Sequence, residues 1–156
     1  MKLSVLLDNV RSKNNIGSIF RTSDALGVEK IYLCGISATP PDRDIHKTAL
    51  GAEESVPFAY HRDIHAALDL LRADGYCICA VEQTADSLEL GSGRWPAALG
   101  QRVALVFGNE LDGVQPSVLE RCDAALEIPQ CGIKKSLNVS CAAAIALWEI
   151  TKHLRQ

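Results

Sequence analysis

The feature that most constrains this chain is an alternation. Short runs of Val, Ile and Leu, each too brief for a helix, recur between segments with helical spacing. Residues 3–7, 30–34, 56–60, 76–81, 103–107 and 124–128 read as six strands. Residues 15–26 read as a helix stopped by Gly27, and residues 63–72 as an amphipathic helix with Ile64, Leu68 and Leu71 at i, i+4 and i+7. Residues 44–50 and 116–121 suit short helical turns, the second opened by Pro116, and residues 136–154 a long final helix. Strands that alternate with helices form a parallel sheet covered on both faces, and such strands are apolar throughout. The expected fold class is α/β, a mostly parallel six-stranded sheet flanked by helices, with ligands at the carboxyl ends of its strands.

Composition narrows the setting. The 156 residues suit one domain, and 47% hydrophobic against 22% charged residues excludes a disordered chain. No apolar run approaches the roughly 18–20 residues of a membrane span. The first strand meets Asp8 at once, without the longer apolar stretch and cleavage site of an export signal. Six cysteines without such a signal are expected as reduced thiols, and the expected compartment is the cytoplasm. The net charge of −3 argues mildly against a general nucleic-acid binder, but it hides an asymmetry. Residues 1–48 hold seven Lys/Arg against five Asp/Glu, residues 49–132 five against thirteen, and residues 133–156 four against one. A fold that joins the ends makes a positive patch on an acidic protein; the alternative is surface scatter.

Several chemistries lack their motifs. There is no G-x-G-x-x-G, P-loop, G-x-S-x-G elbow or C-x-x-C pair. Cys77 and Cys79 sit two apart on one strand and read as small core residues. His61 and His65 have the i, i+4 spacing of a helical metal pair but no third ligand nearby, so a solvated helix face is expected. Asp42, Asp44 and His46 alternate in what reads as a polar loop. No metal is expected.

Three segments stand out. In Asn14-Asn15-Ile16-Gly17-Ser18-Ile19-Phe20-Arg21, the apolar stripe is Ile16, Ile19 and Phe20, while Asn14, Ser18 and Arg21 share another face. One Asn suits a helix cap; two in a row, with Gly17 in the first turn, suggest close approach by something else. In Leu105-Val106-Phe107-Gly108-Asn109-Glu110, a buried strand ends in a carboxylate at the usual ligand position of a parallel sheet. In Ile128-Pro129-Gln130-Cys131-Gly132-Ile133-Lys134-Lys135-Ser136-Leu137-Asn138, a strand runs through a loop to a helix start suited to an anion or carboxylate. Capping explains Ser136 well there and Asn138 less so.

In this order and spacing, the three segments resemble the motifs of the SpoU/TrmH branch of the SPOUT RNA methyltransferases. The stretches Lys47-Thr48-Ala49-Leu50-Gly51-Ala52-Glu53 and Val81-Glu82-Gln83-Thr84-Ala85 are similar to members that methylate a tRNA D-loop guanosine. The resemblance implies a deep trefoil knot in the C-terminal third and transfer of a methyl group from S-adenosylmethionine (SAM) to an RNA ribose 2′-hydroxyl. It implies catalytic or active-site roles for Arg21, Asn15, Glu110, Ser136 and Asn138, with Glu110 orienting the arginine or a neighbouring loop. It implies SAM contacts at Val81, Gly108, Ile128 and Leu137, and a homodimer; the small-residue run 141–146 of the final helix suits either close packing in that dimer or a buried core helix. The chain opens at strand one, so residues 1–156 are expected to be one catalytic domain without an N-terminal RNA-binding extension. RNA would then meet the basic ends, through Arg11, Lys13, Arg43, Lys47, Lys134 and Lys135. The expected substrate is tRNA, with rRNA the alternative. A non-catalytic RNA-binding module and a small-molecule α/β enzyme remain the other classes.

Overall fold

A computed structural model describes residues 2–94 and 99–155. Its centre is a seven-stranded sheet in the order β3-β2-β1-β6-β4-β7-β5. The strands are β1 (Lys2–Asp8), β2 (Lys30–Cys34), β3 (Phe58–His61), β4 (Cys77–Val81), β5 (Leu88–Glu89), β6 (Arg102–Phe107) and β7 (Ala124–Glu127). Every pairing is parallel. The expectation of six strands missed β5, whose two residues pair with Leu126 and Glu127. Two residues carry no periodicity, so main-chain pairing alone reveals this strand.

The helices are α1 (Lys13–Leu26), α2 (Arg43–Ala49), α3 (Ala52–Ser55), α4 (Ile64–Ala73), α5 (Pro116–Leu119) and α6 (Val139–Leu154). Two cores lie on opposite faces of the sheet. One holds Leu3, Val5 and Leu7 of β1 with Ile16, Ile19 and Phe20 of α1 and Ala143, Leu147 and Ile150 of α6. The other holds Leu6 of β1 with Leu68 and Leu71 of α4 and Val118 of α5. The period-two alternation of β1 thus serves both faces. Cys77 and Cys79 share the first core, with their sulfurs 3.8 Å apart.

The helix boundaries move where caps decide them. Ser12, not an asparagine, caps α1 by accepting from the Asn15 N–H, so the helix begins two residues before the expected start. Asn138 caps α6 by accepting from the Ser140 N–H at 2.9 Å, so Ser136 lies outside that helix. The supposed polar loop of Asp42, Asp44 and His46 is the capped start and body of α2. His61 ends β3 whereas His65 lies on α4, so the two histidines do not share a helix. Among the described residues no cluster of metal-binding side chains occurs, and no helix is long and apolar enough to cross a membrane.

Gly17 shows what comes close to α1. A Cβ there would lie 2.1 Å from the Thr48 hydroxyl oxygen and 2.2 Å from the Ile45 carbonyl oxygen, so α2 rather than a ligand requires the glycine. Thr48 also donates to the Asn14 carbonyl at 2.8 Å, fastening the two helices. Helix propensity alone favours alanine by about 0.5–1 kcal/mol, but overpacking costs about 1–3 kcal/mol. Gly17→Ala is therefore expected to destabilise the fold by about 1–2 kcal/mol in urea denaturation; a stabilised variant would show that the two helices can separate freely.

Candidate active site

The parallel sheet places the carboxyl ends of β4, β6 and β7 side by side, because β4 pairs with both of the others. The loops leaving these ends, with residues 135–139, enclose a cavity of about 650 Å³. Val81, Gly108, Ile128 and Leu137 all line it, as do Glu110, Ser136, Asn138 and Lys135. Apolar Val81, Ile128, Leu137 and Val139 mix there with carboxylates and main-chain groups. A nucleoside joined to an amino acid needs this combination, and the volume lies within the range of small-molecule sites.

The turn after β6 is closed on itself. The Asn109 N–H donates to the Gly113 carbonyl at 3.2 Å, and the Gly113 N–H donates to the Asn109 carbonyl at 2.9 Å. The Asn109 side-chain oxygen accepts from the Leu111 N–H at 2.8 Å. A Cβ on Gly108 would lie 2.1 Å from the Gly113 carbonyl carbon, so the chain can double back only over a glycine.

Glu110 projects from this turn to the segment before α1. Its two oxygens accept from the Arg11 and Ser12 N–H groups, each at 3.1 Å. Of the two partners expected for Glu110, the arginine or a neighbouring loop, its contacts are with the loop before α1. Burial raises the Glu110 pKa, but the Ser12 and Arg11 N–H groups and the Asn15 side chain outweigh it and hold the carboxyl below its ordinary value. Asn109 adds a second tie, donating to the Asn9 carbonyl at 2.7 Å. A third joins the two ends of the chain, where the Asn138 side-chain N–H donates to the Asn15 side-chain oxygen at 3.2 Å.

Arg21 lies elsewhere. It is exposed on α1, makes no ion pair among the described residues and does not line the cavity. Of the six cations expected to meet RNA, Lys13 pairs with Asp42 at 2.8 Å and Lys47 with Asp44 at 3.2 Å. Spacing showed the basic count but not these carboxylates alongside. Arg11, Arg43, Lys134 and Lys135 are exposed without such pairs among the described residues. Sequence reasoning missed Asn9, whose φ of 55° turns the chain out of β1 while its side chain accepts from the Ile36 N–H. It also assigned no role to Asn109 or Glu82. Asparagine directly after a strand was the available signal for Asn9.

The model of the SpoU rRNA Methylase family matches residues 2–148. The chain belongs to this family. A tRNA (guanosine(18)-2′-O)-methyltransferase of Mus musculus is 31% identical over 97% of this chain and 9% of its own length. The tRNA (guanosine(18)-2′-O)-methyltransferase of Thermus thermophilus is 33% identical over 94% of this chain and 73% of its own length. The AdoMet-bound rRNA methyltransferase of Sinorhizobium meliloti superposes with a TM-score of 0.88 at 30% identity, over 97% of this chain and 56% of that one. This SpoU-family chain thus spans less than a tenth of the mouse relative and little over half of the Sinorhizobium protein.

The Glu110 ties have a pH signature. Because the folded-state pKa lies below the ordinary 4.5, their stabilisation is complete above that value and is lost as pH falls through the lower one. Glu110→Gln is expected to be less stable than wild type at pH 7 by about 0.5–1 kcal/mol, a small value because solvent screens this exposed carboxylate. Urea denaturation across pH 3 to 7 should show the difference closing on the acid side; a constant difference would mean that ionisation of Glu110 is not what the turn uses.

Proposed function

We propose that this SpoU-family chain is an RNA 2′-O-ribose methyltransferase that uses SAM. The observation that carries the reading is the cavity at the ends of β4, β6 and β7, lined by Val81, Gly108, Ile128 and Leu137. When bound, SAM supplies an electrophilic methyl group on its sulfonium. Val81, Ile128 and Leu137 give the apolar walls, and the main chain around Gly108 gives hydrogen-bonding groups. The C-terminal trefoil knot belongs to this reading; insertion of β7 between the earlier strands β4 and β5 supports it.

Arg21 acts on the RNA. A guanidinium with a pKa above about 12 is a poor base, but its planar fork can hold a phosphate and the 2′-hydroxyl together. It lowers the cost of charge developing on that oxygen as the proton leaves. Arg21 points into solvent rather than into its own cavity, which favours a homodimer in which it serves the partner's donor pocket. Cys141, Ile145 and Trp148 are exposed at i, i+4 and i+7 on α6 and offer an apolar stripe for that contact. Asn15, Ser136 and Asn138 keep the α1 start and the cavity rim in register. No metal takes part, and the place of action is the cytoplasm.

The substrate is tRNA, with a D-loop guanosine as the target. The names of the mouse and Thermus relatives, together with Val81-Glu82-Gln83-Thr84-Ala85, support it. Ribosomal RNA is the second reading, favoured by the Sinorhizobium neighbour. Tritiated SAM with total tRNA and rRNA from a source lacking the protein is expected to label tRNA and to block alkaline cleavage at one nucleotide. A methyl group on a base would overturn the reaction, and label confined to rRNA the substrate.

Arg21→Lys is expected to lose most activity while binding SAM normally, because lysine keeps the charge without the fork. Near-normal turnover would show that charge alone suffices. Replacing Lys134 and Lys135 together with glutamine should weaken RNA binding and lower its salt dependence, by a slope of about 0.7–0.9 for each lost phosphate contact. An unchanged slope in filter binding would remove both lysines from the RNA surface.

A further inference from the structure

We propose that Glu82 is the positioning residue of the methyl-donor pocket, a role that rests on the reading of SAM as the donor. Glu82 is the first residue beyond β4, at the wall of the cavity. Its side chain ties its own loop to the loop after β6. Oε2 accepts from the Val114 N–H at 3.0 Å, and Oε1 accepts from the Gln83 N–H at 2.9 Å. Its main-chain N–H donates to the Leu126 carbonyl of β7 at 3.0 Å.

These bonds fall where the sheet no longer holds its strands together. Pairing between β4 and β6 ends at Ala80 and Val106, and the residues that follow both strands line the cavity. Glu82 bonds to both neighbours there, with its side chain on the loop after β6 and its main chain on β7. One residue thus contacts the segments after β6 and at β7, the first through its side chain and the second through its main chain. Gly113 makes room for it, since a Cβ there would lie 2.2 Å from Oε2. Glu110 ties the same turn to α1 from the other side. Glu82 sets the donor pocket, whereas Glu110 sets the approach of α1.

Two N–H groups require two acceptors on one side chain. Glutamine offers a single oxygen, so its amide would face one of the N–H groups donor to donor. Aspartate is one methylene too short to hold both loops in place. Glu82→Gln therefore loosens the wall, while the reacting groups themselves are untouched.

The experiment titrates SAM calorimetrically into the full chain and follows methyl transfer to tRNA. Glu82→Gln is expected to weaken SAM binding about 10- to 100-fold, the range for a hydrogen bond to a charged group. Its KM for SAM should rise in proportion, with kcat at saturating SAM lowered less than about threefold, as for an interaction that acts in binding. Glu82→Asp, which keeps the charge and both acceptors but falls one methylene short of the Val114 N–H, should produce the same pattern and provides the test if Glu82→Gln does not fold. Gly17→Ala, destabilised at a remote helix contact, should keep its SAM affinity and so separates a local effect from a fold-wide one. Wild-type binding with Glu82→Gln or Glu82→Asp within about twofold of it overturns this role alone. Absence of SAM binding by the wild-type chain overturns the donor reading and this role together.

Discussion

A carboxylate that leaves the end of one strand and binds the main chain at the start of a helix organises this molecule. Glu110, on the turn after β6, accepts from the N–H groups of Arg11 and Ser12, nearly a hundred residues earlier. Those N–H groups belong to the segment that turns out of β1 and enters α1, where few main-chain partners are available. Neither end is rigid by itself. The turn needs Gly108 and Gly113 to close, and the segment needs Asn9 at positive φ to leave the strand. Joined, they set the start of the helix that carries Arg21 against a wall of the cavity.

The turn is held from both sides by carboxylates, and each is matched to N–H donors rather than to cations. Such pairing is weakened by an isosteric amide, which offers one acceptor where two N–H groups point, and it keeps its geometry in salt better than a surface ion pair would. The cationic side chains are therefore left for other work. Lys135 reaches the cavity rim, while Arg11, Lys134 and Arg43 stand in solvent. Lys13 and Lys47 are partly engaged by Asp42 and Asp44, yet exposed pairs of this kind are worth about 0–1 kcal/mol and yield readily to a phosphate.

Much of this was legible in the sequence. Apolar strands alternating with helical periods pointed to the parallel sheet, because covered strands have no polar face to alternate. The four residues matched to SAM contacts came together around one cavity, since each follows or faces the carboxyl end of a neighbouring strand. The caps were harder to read. Ser12 and Asn138 each compete with an equally suitable neighbour, and only the geometry of the entering chain decides which side chain reaches the free N–H groups.

Local chemistry in the sequence thus determined the element types, the order of the three motifs and the residues at the strand ends. Tertiary structure alone decided which of those residues meet. β4 lies between β6 and β7, so Glu82 can touch both; no spacing along the chain encodes that neighbourhood. The same holds for Gly17, whose close contact is α2, and for Glu110, whose partners are main-chain groups. Main-chain N–H groups look alike at every residue, and only folding makes particular ones available.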